Sequence, residues 1–185
     1  MHDLHLMDEP ELKKLCMETL SPHFRIVSGD HPDSPECVNF YSGKSLRPDF
    51  ICYPLKPLRD SGWPDWMFYI EVKDCKGGNG ASRMHEMAWQ AKTYQDCACL
   101  FRLPAFTLVF PDFQTVLNSS PTCAARKTDY ADWFSGYMQK ERVGELFIYN
   151  PDNWKIKFSS SVLYDHGDKR KNFQLLDRKH RGVCQ

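Results

Sequence analysis

Two acids and a lysine stand at the ends of the most strand-like segments of the chain. In "RPDFICYPL", residues 47–55, Asp49 opens an apolar run, and in "WMFYIEVK", residues 66–73, Glu71 and Lys73 close the next one. Hydrolysis of a phosphodiester at neutral pH needs a water made nucleophilic and cancellation of charge on the phosphate oxygens, and one or two Mg2+ ions do both. Magnesium takes oxygen ligands and is typically held by one or two carboxylates, with water and substrate completing its shell. Strand side chains alternate, so Glu71 and Lys73 point to one side and Val72 to the other. With Asp49 alongside on the neighbouring strand, the two acids would hold the metal. The lysine would position or help deprotonate the attacking water and offset the developing negative charge. The competing reading is that strand ends reach solvent, where charges sit freely.

Such a site needs a scaffold that brings two strand ends together. Pro10 behind Asp8 and Glu9 marks a helix start, and Leu12, Leu15, Cys16 and Leu20 recur at helical spacing, which predicts a helix over 9–20 stopped by Ser21-Pro22. "HFRIVSG" (23–29) reads as a strand, with "CVNFYSG" (37–43) as its continuation or partner. "DFICYPL" and "WMFYIEV" read as central strands joined by a turn segment containing "DSGWP". Met84, Met87, Ala88, Ala91 and Ala98 then form one stripe of a helix over 81–101, followed by a buried strand at 105–110. A helix at 129–142 and strands "ELFIYN" and "WKIKFSSSVL" complete the pattern. The order α, β, β, β, α, β, then α, β, β implies an α/β sandwich around a mixed sheet.

Pro-Asp occurs five times, at 32, 48, 64, 111 and 151, and only the copy at 48 opens a strand that is followed by a second strand ending in Glu-x-Lys. Pro48-Asp49 with Glu71-Val72-Lys73 resembles the signature of the PD-(D/E)XK nuclease superfamily, and the order of elements over roughly residues 9–110 matches that family's core. The resemblance implies a restriction-endonuclease-like fold: a mixed central sheet flanked by helices in an α-β-β-β-α-β core, with C-terminal additions. It also implies a metal-dependent nuclease in which Asp49 and Glu71 hold Mg2+, with Mn2+ able to substitute, and Lys73 is the catalytic lysine. Gln90 and Tyr94, one helical turn apart, are similar to the Q-x-x-x-Y motif of RecB-type members. By that resemblance they would support the site and contact DNA, with Lys92 reaching a phosphate; the alternative is that Tyr94 fills the core and Gln90 faces water. Family members often carry a further acid on the first helix, which assigns Glu11 here, although Glu18 lies on the same face.

Composition bounds these readings. The chain has 185 residues, of which 42% are hydrophobic, 14% aromatic and 26% charged, which predicts one domain over 1–185 with a proper core. Its nuclease core would span about 9–110, followed by the helix and strands of 129–164 and a basic tail over 166–185. No apolar run approaches the roughly 20 residues that span a bilayer. The acidic start "MHDLHLMDEPELKK" lacks a secretion signal, so a cytoplasmic, reducing location is expected. Eight cysteines without a repeating spacing then read as reduced core residues. Net charge is zero, with 24 bases and 24 acids, so the whole surface does not attract nucleic acid. Residues 166–185, with six bases against Asp168 and Asp177, could touch a phosphate backbone. Trp63, Trp66 and Tyr69 could stack bases, but core packing is their default reading. The expected partner is nucleic acid, DNA before RNA, with a protein partner possible for specificity. An RNA-cleaving enzyme and a binding module without catalysis are the rival readings.

Overall fold

The computed structural model describes residues 4–32, 34, 36–39, 43, 45–76, 79–98, 104–119 and 127–177. After a 3-10 turn (Leu4–Leu6), the chain runs through α1 (Glu9–Leu20), β1 (Phe24–Ser28), β2 (Cys37–Asn39), β3 (Ser45–Leu46) and β4 (Phe50–Pro54). Next come α2 (Lys56–Asp60), β5 (Phe68–Val72), α3 (Gly80–Asp96), β6 (Cys97–Ala98) and β7 (Thr107–Phe110). The last part comprises α4 (Phe113–Asn118), α5 (Lys127–Lys140), β8 (Val143–Asn150), β9 (Asn153–Phe158), β10 (Ser161–Asp165), β11 (Arg170–Lys171) and α6 (Gln174–Asp177). No helix among the described residues is long and apolar enough to cross a membrane.

The architecture is mixed α/β. Eight strands form one mixed sheet in the order β1-β4-β5-β7-β8-β9-β10-β11. β1, β4 and β5 are antiparallel, β5, β7 and β8 are parallel, and the remaining strands return to antiparallel pairing. Every residue of β5 is buried, in keeping with a strand covered on both faces that reads as a continuous apolar run rather than an alternation. On one face, Leu12, Leu15, Cys16 and Leu20 of α1 pack against Phe24, Phe50, Phe68, Ile70, Val72 and Leu108. On the other, Met84, Met87, Ala88 and Ala91 of α3 join Val109, Phe113, Val116, Phe134 and Met138. Trp63 and Tyr69 are buried and Trp66 packs at the core margin, so these rings serve packing. Cys16, Cys52 and Cys75 are buried free thiols.

Local chemistry explains the start of α1. Asp8 accepts a hydrogen bond from Glu11 N at 3.0 Å while Glu11 Oε2 accepts one from Asp8 N at 2.8 Å, a reciprocal cap reinforced by Pro10 in the first turn. Three expectations fail. β2 does not partner β1; it pairs with β3 and β6 in a separate three-stranded sheet. The link from β1 carries Pro32 and lacks the two-residue turn that forces neighbouring strands together. The helix over 81–101 ends at Asp96, because Cys97 and Ala98 pair with β2, and residues 99–101 lie outside those described. The segment 154–163 is not one strand: Ser159, in the left-handed region with φ of 54°, turns β9 back into β10.

The basic tail is partly committed within the fold. Arg170 pairs with Asp165 and Asp168, and Lys171 donates to the Ser61 carbonyl. Arg178, Lys179 and Arg181 lie outside the described residues.

Two buried contacts generate tests. Gly29 lies so close to the next strand that a Cβ there would stand 1.9 Å from the Pro48 carbonyl oxygen. Gly29→Ala should cost about 1–3 kcal/mol in urea unfolding, since backbone cannot yield as a side chain does; an unchanged midpoint would contradict the close approach. Glu145 on β8 is 5% exposed and accepts hydrogen bonds from Phe113 N at 3.0 Å and from the Ser135 hydroxyl, tying α4 and α5 to the sheet. Burial pushes its carboxyl up to about 7 from 4.5, against the opposing pull of those two bonds. The folded protein then keeps a proton that the unfolded chain has lost, so this group makes stability fall as pH rises from about 4.5 to about 7, by on the order of 3 kcal/mol at most. Glu145→Gln should remove that fall when unfolding is compared at about pH 5 and about pH 7.5. Parallel pH dependence in both proteins would refute the assignment.

Candidate active site

Asp49 sits immediately before β4, and the pairing of Phe50 with Ile70 sets it beside Glu71 one step further along the ladder. Gly29 N donates to the Asp49 carbonyl at 2.8 Å, and Asp49 Oδ2 accepts from Val72 N at 2.7 Å, so backbone from both neighbouring strands fixes the residue. Glu71 is 3% exposed. Lys73 follows the end of β5, where its N–H donates to the Phe110 carbonyl at 3.0 Å, and its Nζ lies 3.6 Å from Glu71 Oε1. Two carboxylates and an ammonium therefore meet at adjoining strand ends.

α3 closes the site from above. Tyr94 is buried, its ring edge-on to Tyr69, and its hydroxyl lies 2.8 Å from Glu71 Oε2 and 3.0 Å from the Arg47 carbonyl. A phenol carries one proton, so the Tyr94 hydroxyl donates to the Glu71 carboxyl and the Arg47 carbonyl as a shared donor. Gln90, one turn earlier, has a buried side-chain oxygen with no hydrogen-bond partner. Glu86, a further turn back, lies 3.5 Å from Lys73 Nζ through Oε1. Lys92 points elsewhere: its ammonium is engaged by Asp96 and by Glu141, the latter at 3.6 Å.

Glu11 contributes through α1's cap and lies 3.7 Å from Lys76, apart from the two central acids. Glu18 pairs with Lys14 on the exposed face. What α1 does bring to the site is Lys13, whose Nζ stands 2.6 Å from Asp49 Oδ1 and 2.7 Å from Glu9 Oε1. Lys13, Glu9 and Glu86 were missed from sequence. Glu86 had a readable signal, since 86, 90 and 94 repeat at four-residue spacing and share one helix face. Lys13 had a weaker one, lying beside Leu12 at the margin of the apolar stripe.

Burial dominates the electrostatics. Glu71 is pushed up to about 8, first by desolvation and then by the Asp49 carboxylate, against the pull of the Tyr94 hydroxyl, Lys73 and Lys13. Burial also raises Asp49, opposed by Lys13 and the Val72 N–H. Lys13 is held above its ordinary value: partial burial would lower it, but Asp49 and Glu9 outweigh that. The groups that could ligate are carboxylate oxygens, which suits a hard cation such as Mg2+ or Mn2+. Among the described residues no group of three or more His, Cys, Asp or Glu side chains converges as a ligand set, so the protein's share would be two carboxylates. A separate cleft of about 480 Å³, lined by Asp112, Asp132, Ser135, Glu145 and Lys157 among others, shares no residue with this site.

In comparison with known proteins, the chain matches no family model, and no curated protein or solved structure is significantly similar to it.

Tyr94→Phe removes a hydroxyl from between the buried Glu71 carboxyl and the partly buried Arg47 carbonyl. It should lower stability by about 1–3 kcal/mol, the cost of stripping a buried polar group of its partner. Urea unfolding that leaves the variant equal to wild type would show that the phenol supports neither Glu71 nor Arg47.

Proposed function

We propose that the chain is a metal-dependent nuclease of the PD-(D/E)XK type acting on DNA. The observation that carries this reading is the meeting of Asp49, Glu71 and Lys73 at adjoining strand ends, with Glu71 buried and Asp49 partly buried. The order of the elements supports it: leaving aside β2, β3 and β6, which build the small sheet, and the five-residue α2, the chain runs α1, β1, β4, β5, α3, β7. That is the α-β-β-β-α-β order of a restriction-endonuclease-like core.

Asp49 and Glu71 would hold Mg2+ or Mn2+, which supplies a nucleophilic water and neutralises phosphate charge. The chain's own residues account for the rest. Val72 N–H fixes one Asp49 oxygen, and Tyr94 fixes one Glu71 oxygen, so neither carboxylate can swing freely. Lys73, anchored between Glu71 and Glu86, offers a movable proton and a positive charge where the attacked phosphate would lie. The buried, unpartnered oxygen of Gln90 lies on the same helix face as Tyr94. Lys92 is committed to Asp96 and Glu141, so a role at a phosphate would require it to leave both.

Labelled linear single-stranded and double-stranded DNA, closed circular DNA and matched RNA, incubated with Mg2+, Mn2+ or EDTA, test the proposal. Asp49→Asn leaves an oxygen to accept from Val72 N–H while removing the charge, and Lys73→Ala removes the ammonium. Metal-dependent cutting is expected in wild type, and a fall of about 100-fold or more in each folded variant. Equal cutting by wild type and both variants, or none by wild type on any substrate, would overturn it.

A further inference from the structure

Asp49 has two carboxylate oxygens, and both are already engaged. Oδ2 accepts from Val72 N at 2.7 Å, which is a strand-end contact that the sheet keeps in place. Oδ1 faces the Lys13 ammonium at 2.6 Å, and Glu9, one turn earlier on α1, holds the same ammonium at 2.7 Å. This triplet differs from the other ion pairs of α1. The Lys14–Glu18 side chains are 75% and 62% exposed and those of Lys76–Glu11 48% and 55%, whereas Lys13 is 30% and Asp49 17% exposed. α1 itself is fixed across β1, β5 and β8, so the stem of Lys13 starts from a rigid position and only its flexible four-carbon arm can move.

We infer that Lys13 is the resident counter-ion of the site: its ammonium occupies the Asp49 oxygen that a divalent cation needs, and the cation binds by sending Lys13 back onto Glu9 alone. This rests on the reading of Asp49 as a metal ligand. A bound metal and an ammonium cannot share Oδ1 without bringing two cations together, so each excludes the other. Glu9 makes the exchange workable, because the displaced ammonium keeps a carboxylate instead of being left unpaired. Lys13 thus holds Asp49 in position before metal arrives and sets how much free cation is needed to load the site. A merely structural ion pair would do the first and not the second.

The test is calorimetric titration of Mg2+ and of Mn2+ into the full chain without nucleic acid, using wild type, Lys13→Met, Lys13→Arg and Asp49→Asn. Lys13→Met should bind metal about tenfold tighter or more, which is the worth of one charged hydrogen bond removed from the competition. Lys13→Arg, which keeps the competing charge, should bind no tighter than wild type, and Asp49→Asn should lose binding. If Asp49→Asn loses binding while Lys13→Met binds no tighter than wild type, the counter-ion role falls and the metal site stands. If wild type and Lys13→Met both bind no metal, or Asp49→Asn binds as well as wild type, the metal reading beneath it falls as well. A second readout needs no destabilised variant. In protein carrying 13C-methylated lysines, which keep their charge, the Lys13 resonance, identified by its absence in Lys13→Arg, should move toward that of exposed lysines on saturation with Mg2+. A Lys13 resonance that stays in place at saturation would overturn the exchange.

Discussion

A carboxylate withdrawn from water has to recover hydrogen bonds and positive charge from the protein, and two side by side raise that demand further. Asp49 and Glu71 meet it with groups from three separate parts of the chain: Lys13 of α1, the Val72 amide and Lys73 at the end of β5, and Tyr94 of α3. None of these is local in sequence to Asp49, so the site exists only once the sheet and both covering helices have assembled. Gly29 serves the same requirement from the backbone, because only a residue without a side chain lets β1 approach Pro48 and hold the Asp49 carbonyl.

The contrast with Glu145 shows two ways in which the same sheet houses a buried acid. Glu71, Val109 and Glu145 stand in one row across β5, β7 and β8. Both acids are pushed upward chiefly by burial. Glu145, however, spends its oxygens on the first amide of α4 and the hydroxyl of Ser135, bonds that fasten helices to a strand. Glu71 instead shares its surroundings with a second carboxylate, a lysine and a phenol. Burial alone does not distinguish the two; their neighbours do.

Much of this was legible in the sequence. α1 ends where its cap residues and Ser21-Pro22 say it should, and β4, β5 and β7 fall within their apolar runs, because capping and burial on both faces are local and compositional signals. The three residues that meet at the strand ends were readable for the same reason: alternation fixes Glu71 against Lys73, and a neighbouring strand supplies Asp49. What escaped depends on distance in sequence. Lys13 and Glu86 gain their meaning from strands 36 and 13 residues away, differences read from the numbering of Asp49 and Lys73. The small sheet of β2, β3 and β6 joins segments separated by the whole of α3, and the short α2 and α4 are too brief to establish a period.

The far end of the large sheet is finished by β11, two exposed basic residues long. Arg170 is drawn to Asp165 and Asp168, and Lys171 reaches across to the Ser61 carbonyl. An open strand edge is a template on which another polypeptide can build, and a long apolar one invites aggregation. Here the edge is too short to offer a ladder and too charged to receive an apolar strand, so this end of the sheet is a poor template for a further strand.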